Sequence, residues 1–340
     1  MKSLILPPLS TLYGAITSVR SSLYQRGAFR SSKLGRPVIS VGNITTGGTG
    51  KTPLVEFVAR ALAAEGKKVC ILTRGYGRKN ANERVLVSDG TTVFSSPADA
   101  GDEPFLLASN LVGVAAVVSD ANRFAAGQGA IKHLGTECFV LDDGFQHLQL
   151  ARDLDIVTID ATNPWGGGEL LPYGRLRESL SGLRRAHCFV ITRCDQIADV
   201  DSIRQELAEL SGDRPIFISR MVTKRITPLT RQTSDIQMEP IAAFCGIGNP
   251  ESFFKHLQQN GRQTVFQKSF PDHHKYTQSD IDRLTEDAKQ AGARGLITTA
   301  KDAVKIKKLQ LSVPFYSLEI DIEIENKEEF HRLLKSSLDS

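Results

Sequence analysis

Between Val38 and Pro53 the chain reads Val-Ile-Ser-Val-Gly-Asn-Ile-Thr-Thr-Gly-Gly-Thr-Gly-Lys-Thr-Pro. A short apolar run, Val38 to Val41, gives way to a polar, glycine-rich turn that closes on Gly50, Lys51 and Thr52. Beyond it Leu54, Val55, Phe57, Val58, Ala61 and Leu62 recur at helical spacing. Strand, glycine loop and helix in immediate succession is the context of a phosphate-binding loop. Glycines allow backbone N–H groups to point inward at phosphate oxygens, and the helix N-terminus adds partial positive charge. In that reading Thr45, Thr46, Gly47, Gly48, Thr49, Gly50, Lys51 and Thr52 hold the phosphates. Lys51 reaches the β/γ-phosphates, and the Thr52 hydroxyl takes Mg²⁺. Thr45 stands where the strict pattern has glycine. Thr46 stands where a related class of phosphate loops carries a signature lysine, which argues against that class. The plain alternative, a glycine-rich turn that only caps a helix, is disfavoured by the flanking strand and helix.

The remainder of the first 220 residues repeats the alternation. Lys67–Thr73, Val114–Ser119, Cys138–Leu141, Asp155–Asp160, His187–Thr192 and Pro215–Arg220 read as strands separated by helices, and Asp89-Gly90 marks a hairpin. Such alternation predicts a doubly wound, mostly parallel α/β sheet of the P-loop NTPase type. Residues 221–239 turn polar and Thr-rich and read as a linker, with Met221–Met238 in short alternating stretches. A smaller α/β domain is expected over 240–340, and the larger domain over 25–220.

With 340 residues the chain has room for one large or two medium domains. A net charge of +4 does not by itself imply nucleic acid, and none is expected as a partner. Five scattered cysteines without a CxxC pair exclude a disulfide or zinc framework. Basic residues from Lys2 to Lys51 all precede the first acid, Glu56. In residues 1–24, Ile5, Leu9, Leu12, Ile16, Val19 and Leu23 mark one helical face, too interrupted by Pro7-Pro8, Ser and Thr to span a bilayer. No small-residue cleavage site points to a signal peptide. Two readings remain for that helix: packed on the domain, or lying in a membrane interface with basic residues toward anionic lipid.

Several strand ends carry chemistry. Asp142-Asp143 follows an apolar strand, and adjacent carboxylates there repel each other unless a cation or donors compensate, as Mg²⁺ would. Arg74-Gly75-Tyr76-Gly77-Arg78 is a basic loop at another strand end, where ligand loops of α/β sheets lie. Asp102 and Glu103 open a helix and by themselves are explained as first-turn acids. Residues 163–180 form a long Gly/Pro loop flanked by arginines, and loops of that length inside a domain tend to be functional.

In order along the chain, VGNITTGGTGKTP, LTRGYGR, GDEP, LDDGFQH, LPYGRLRE and FPDHHKY resemble the tetraacyldisaccharide 4′-kinase family, the lipid A 4′-kinases. The similarity runs through most of the chain, and Thr45 is a trait of that family. The resemblance implies ATP-dependent phosphorylation of the 4′-hydroxyl of a lipid-linked glucosamine disaccharide, with ATP and Mg²⁺ as cofactors. It also implies two Rossmann-like domains joined by a β-strand linker. Carried over by motif, Lys51 and Thr52 bind phosphate and Mg²⁺, and Asp142 and Asp143 sit near the metal. Asp102 is the general base and His273, in preference to His274, its partner. Arg74, Tyr76, Glu103, Arg123, His147, Arg177 and Glu178 line the substrate site. A lipid substrate favours the membrane reading of residues 1–24. It places the enzyme peripherally on the cytoplasmic face of the inner membrane, with no obligate protein partner. The rival reading is a P-loop regulatory GTPase or ATPase of the membrane surface. It rests on Thr192-Arg193-Cys194-Asp195, an echo of the guanine-reading [NT]KxD pattern in which Arg193 replaces lysine.

Overall fold

The computed structural model describes residues 2–230 and 239–339, with side chains from Leu6 onward. The part of the expected linker over 231–238 lies outside the described residues. The chain divides into two compact units, Met1–Arg220 with Ile322–Ser340, and Met221–Asp321.

The first unit begins with α1 (Lys2–Gln25), β1 (Val38–Gly42) and α2 (Lys51–Ala64). It continues through β2 (Val69–Thr73), β3 (Val85–Ser88), α3 (Pro97–Ala100), α4 (Asp102–Asn110), β4 (Ala115–Ser119) and α5 (Arg123–Leu134). Next come β5 (Cys138–Asp142), β6 (Leu154–Asp160), β7 (Cys188–Thr192), α6 (Asp201–Ser211) and the start of β8 (Ile216–Pro228). The strand order is β8-β7-β6-β1-β5-β2-β4-β3, parallel except for β3 against β4. Strands β1, β2, β4, β5, β6 and β7 are buried along their whole length. That is why they read as continuous Val/Ile/Leu/Phe runs and not as alternation. Helix α5 packs Ala126 and Ala130 on Cys70, Leu72, Phe139 and Leu141, and α6 packs Ile203 and Leu207 on Phe189 and Ile191.

From β1 the chain builds outward through β2 and β4 and returns to β5. It then leaves on the other side through β6, β7 and β8. The carboxyl end of β1 is therefore the reversal point, where doubly wound sheets open a ligand crevice. The chain approaches itself closely there: a Cβ on Gly42 would lie 2.6 Å from the Phe145 Cβ and 2.7 Å from its backbone N.

The second unit holds most of β8, then β9 (Ile241–Cys245), α7 (Pro250–Gln259), β10 (Thr264–Ser269), α8 (Gln278–Gln290), β11 (Gly295–Thr299), α9 (Ala300–Ile306) and most of β12 (Phe315–Ile324). Its parallel order is β10-β9-β11-β12. Helix α8 starts with a capping box between Thr277 and Asp280. Strands β8 and β12 each pass from one unit into the other.

Two groupings depart from the expected divisions: residues 322–340 group with the first unit, and the described part of the expected linker groups with the second. The last helix, α10 (Lys327–Ser336), buries Phe330 and Leu334. The Phe330 ring lies 4.9 Å from that of Phe217 and 5.8 Å from that of Phe57. Apolar burial at helical spacing draws the C-terminal segment onto α2 and β8.

Candidate functional site

The turn after β1 is held open by its own backbone. Gly47 and Gly50 take positive φ, and Gly50 caps α2 without a side-chain hydrogen bond. The first-turn N–H groups of α2 therefore have no side-chain acceptor at the cap, which is how a helix N-terminus presents itself to an anion. The loop's flank is pinned to residues 175–177: Thr46 N donates to Arg175 O at 2.8 Å, and Arg177 N donates to Ile44 O at 2.7 Å. The long 163–180 loop is thus stitched to the phosphate loop, and Leu176, which bridges Thr45, is buried.

Lys51, the first residue of α2, donates to Asn43 Oδ1 at 3.1 Å and lies 3.5 Å from Asp143 Oδ1. Arg177 Nη1 donates to both Asp143 oxygens at 2.7 Å. Burial would raise the Asp143 carboxyl, but Lys51 and Arg177 outweigh it and bring it down to about 2. Its neighbour Asp142 goes the other way. Buried at the end of β5, and repelled by Glu103 and Asp143, it is pushed up to about 6, although Lys51 and a 2.9 Å hydrogen bond from Thr73 Oγ1 oppose the rise. Two adjacent acids are thus split into a committed anion and one short of positive charge. The carboxylate and hydroxyl oxygens of Asp142, Asp143 and Thr52 are the hard donors Mg²⁺ takes, and the charge deficit at Asp142 is of the sign a divalent cation would satisfy.

Around these acids stand the remaining expected residues of the first unit. Asp102 and Glu103 open α4 after Gly101, whose φ is 95°. A Cβ on Gly101 would lie 2.7 Å from Tyr76 O, so the Tyr76 loop and the start of α4 touch. The Arg74 guanidinium lies 5.2 Å from the Tyr76 ring centroid, and Tyr76 is exposed. Arg123 is buried at the start of α5. Burial lowers its pKa, against the attraction of Asp142. Burial, reinforced by Arg123, Arg152, Arg20 and Arg74, brings His147 down to about 4, so it is neutral at pH 7. Glu178 accepts from Gln146 Nε2 at 2.8 Å and pairs with Arg185 at 2.8 Å. The crevice edge mixes cations and acids: Arg74 and Arg123 stand near the acid pair, and Arg177 and Arg185 are paired with Asp143 and Glu178.

In the second unit the two histidines differ. His274 stacks on Phe270 at 4.6 Å and meets Asp280 at 3.2 Å. His273 sits at φ 60° with its side chain 41% exposed, 3.4 Å from Lys301 Nζ. Asp102 and His273 belong to different units.

Helix α1 presents a division of its own. Ser10 Oγ donates to Leu170 O at 2.9 Å, Tyr13 OH donates to Arg177 O at 2.8 Å, and Gly14 is buried against Leu170. Its polar, small-residue side faces the protein. Leu9, Leu12, Ile16 and Val19 are 45%, 58%, 59% and 58% exposed. Among the described residues no helix is long and apolar enough to cross a membrane.

Sequence reasoning gave no site role to Asn43, Thr73, Tyr13, Gln146 or Arg185. Thr73, Tyr13 and Gln146 act through partners distant in the chain, Arg185 pairs with the nearby Glu178, and Asn43 lies inside the glycine-loop motif, a usable signal.

The family model for tetraacyldisaccharide-1-P 4′-kinase, LpxK, matches residues 2–339. The chain is 41% identical over 314 residues to the tetraacyldisaccharide 4′-kinase of Desulfotalea psychrophila, covering 91% of this chain and 90% of that protein. It is 41% identical over 303 residues to that of Geobacter metallireducens, covering 89% and 88%. The crystal structure of LpxK from Aquifex aeolicus in complex with ATP superposes with a TM-score of 0.75 at 32% identity, over 97% of this chain and 98% of that one.

Proposed function

Because the chain belongs to the tetraacyldisaccharide 4′-kinase family, we propose a division of labour among its residues for that reaction. The enzyme uses ATP and Mg²⁺ to phosphorylate the 4′-hydroxyl of the tetraacylated glucosamine disaccharide 1-phosphate in lipid A biosynthesis. A bond forms between the 4′-oxygen and the γ-phosphorus, the bond to the β,γ-bridging oxygen breaks, and ADP leaves. The observation that carries the assignment is the cluster of Lys51, Asp142, Asp143 and Arg177 at the mouth of the glycine loop.

Residues 45–52 cradle the phosphates through backbone N–H groups, and Lys51 neutralises charge on the transferring group. Thr52, Asp142 and Asp143 would hold Mg²⁺, which supplies charge neutralisation on the phosphate oxygens. Arg177 keeps Asp143 ionised and oriented. Asp102 accepts the proton of the 4′-hydroxyl, and His273, in preference to His274, is the histidine proposed to orient it. Arg74, Tyr76, Glu103, Arg123, His147 and Glu178 receive the sugar and its phosphate. A double-mutant cycle tests the Asp102–His273 pair: coupled losses support it, and mild additive losses end it.

The acceptor's acyl chains belong in a bilayer, and we place α1 in the interface of the inner membrane's cytoplasmic face. Its exposed Leu9, Leu12, Ile16 and Val19 form an apolar stripe followed by Arg20, Arg26, Arg30 and Lys33. Leu12→Asp with Ile16→Asp should weaken sedimentation with anionic vesicles and raise KM for the lipid more than for ATP. Unchanged sedimentation by the folded variant would refute the placement. The reaction itself is tested by transfer of γ-labelled phosphate from ATP to the lipid disaccharide monophosphate. Labelled bisphosphate product is expected, and its absence with folded protein would contradict the assignment.

A further inference from the structure

Arg193 follows β7 in the Thr-Arg-Cys-Asp stretch that echoed a guanine-reading motif, and its position suggests another task. The residue takes φ 60°, a left-handed backbone that a non-glycine residue adopts at a cost of about 1 kcal/mol. It is buried. One guanidinium nitrogen, Nη1, donates to Asp160 Oδ2 at 2.5 Å, and the other, Nη2, donates to the carbonyl of Gly48 at 2.6 Å. Beside it Thr192 Oγ1 donates to the carbonyl of Thr49 at 3.0 Å. Two successive carbonyls of the glycine loop are thus held from the end of β7.

A trans peptide unit is planar, with its C=O and N–H pointing in opposite directions. The Gly48 carbonyl shares a plane with the Thr49 N–H, and the Thr49 carbonyl shares one with the Gly50 N–H. Fixing both oxygens on the β7 side turns both N–H groups to the opposite side. Resting on the reading of residues 45–52 as the phosphate loop, we infer that Arg193 is a positioning residue for it. By anchoring the Gly48 carbonyl, alongside Thr192 on Thr49, it sets the Thr49 and Gly50 N–H groups toward the nucleotide phosphates before ATP arrives. Donors oriented in advance need no reorganisation on binding, which is where such an anchor acts. A buried ion pair gives little stability over an apolar pair of similar volume, so fold stability is a poor account of the Arg193–Asp160 pair. The guanidinium fork suits the task because it reaches a carboxylate and a carbonyl at once, whereas a lysine presents a single point charge.

The test uses two variants of the full chain. Arg193→Gln combined with Asp160→Asn removes the charge pair without leaving an unpaired carboxylate, and Arg193→Lys keeps the charge and loses the fork. Binding of a fluorescent N-methylanthraniloyl ATP, KM for ATP, KM for the lipid acceptor and the thermal midpoint are measured for each. The neutral pair should weaken nucleotide binding and raise KM for ATP by about tenfold or more, with KM for the lipid within about twofold, and Arg193→Lys should fall between it and the parent. Unchanged nucleotide binding in a folded variant overturns the inference. If the neutral pair does not fold, Arg193→Lys decides alone: a lower midpoint with the same nucleotide affinity refutes it. Lys51→Ala, run in the same assays, separates the two readings. Full ATP binding and transfer in Lys51→Ala would defeat the phosphate-loop assignment itself. A loss there with none in the Arg193 variants would defeat only the role given to Arg193.

Discussion

Each unit buries an aspartate beside the carboxyl end of a parallel strand, and the two are treated oppositely. In the second unit Asp302, in the first turn of α9 after β11, is fully buried. Its carboxylate accepts from Gly246 N at 2.9 Å and Thr299 Oγ1 at 2.8 Å and pairs with Lys305 at 3.0 Å. In the first unit Asp142, at the end of β5, receives the Thr73 hydroxyl and faces Glu103 and Asp143, and its carboxyl is pushed up to about 6. Similar burial and similar topology thus give a structural tie in one place and an acid short of positive charge in the other. The difference lies in what surrounds the oxygens: Asp302 is compensated by the protein, while full ionisation of Asp142 calls for a cation from outside.

The strongest way to break this contrast is at Lys51, the cation whose charge acts on both acids. Lys51→Ala should cost about 3 kcal/mol or more of transition-state stabilisation, a loss of at least about a hundredfold in kcat, with the fold retained. Steady-state transfer together with the thermal midpoint checks it. Near-normal transfer would mean that the first unit's cluster is structural after all.

The contrast sharpens when both acids are changed. Asp302→Ala removes the buried acceptor of Gly246 N and Thr299 Oγ1 and the partner of Lys305, and should destabilise the protein by roughly 3 kcal/mol, by analogy with other broken buried pairs. Transfer per folded molecule should survive. Asp142→Asn should do the reverse, depressing transfer while leaving stability at pH 7 equal or higher. Chemical denaturation paired with activity at matched folded fraction distinguishes the two. Equal stability losses would erase the distinction.

A smaller effect appears in the pH dependence of stability without Mg²⁺. Asp143 is held near 2 in the fold, so its contribution is present above the ordinary carboxylate value near 4 and is lost as pH falls through about 2. Asp142 is raised to about 6, so the fold favours its protonated form, and stability falls as pH rises from about 4 through about 6. Each amounts to on the order of 2 kcal/mol. Asp142→Asn should remove the fall between about pH 4 and 6, and Asp143→Asn the rise between about 2 and 4. A denaturation series whose slopes survive both substitutions would show that neither acid is perturbed in this way.

The contrast was only half legible in the sequence. The glycine loop, the buried strands and the acids at the end of β5 are local patterns, and those elements and the parallel order follow from them. Whether an acid is compensated depends on which elements the topology makes neighbours. Thr73 reaches Asp142 because β2 pairs with β5, 69 residues on. Arg193 meets Gly48 across 145 residues of chain because β6 and β7 stack outward from β1. Spacing does not encode such contacts, so Arg193 read as a failed guanine motif. The return of α10 was not read, although Phe330 and Leu334 fall at helical spacing. Nor were their partners, Phe57 and Phe217.

The most direct measurement is a Mg²⁺ titration of phosphate transfer at fixed ATP for the parent, Asp142→Asn and Asp302→Asn, each at a temperature where it is folded. If Asp142 is the acid that an external cation completes, Asp142→Asn should need about tenfold more Mg²⁺ for half-maximal rate and recover part of its activity at high Mg²⁺, while Asp302→Asn tracks the parent. The same Mg²⁺ dependence in Asp142→Asn as in the parent, or a shift in Asp302→Asn as large as in Asp142→Asn, would contradict the account.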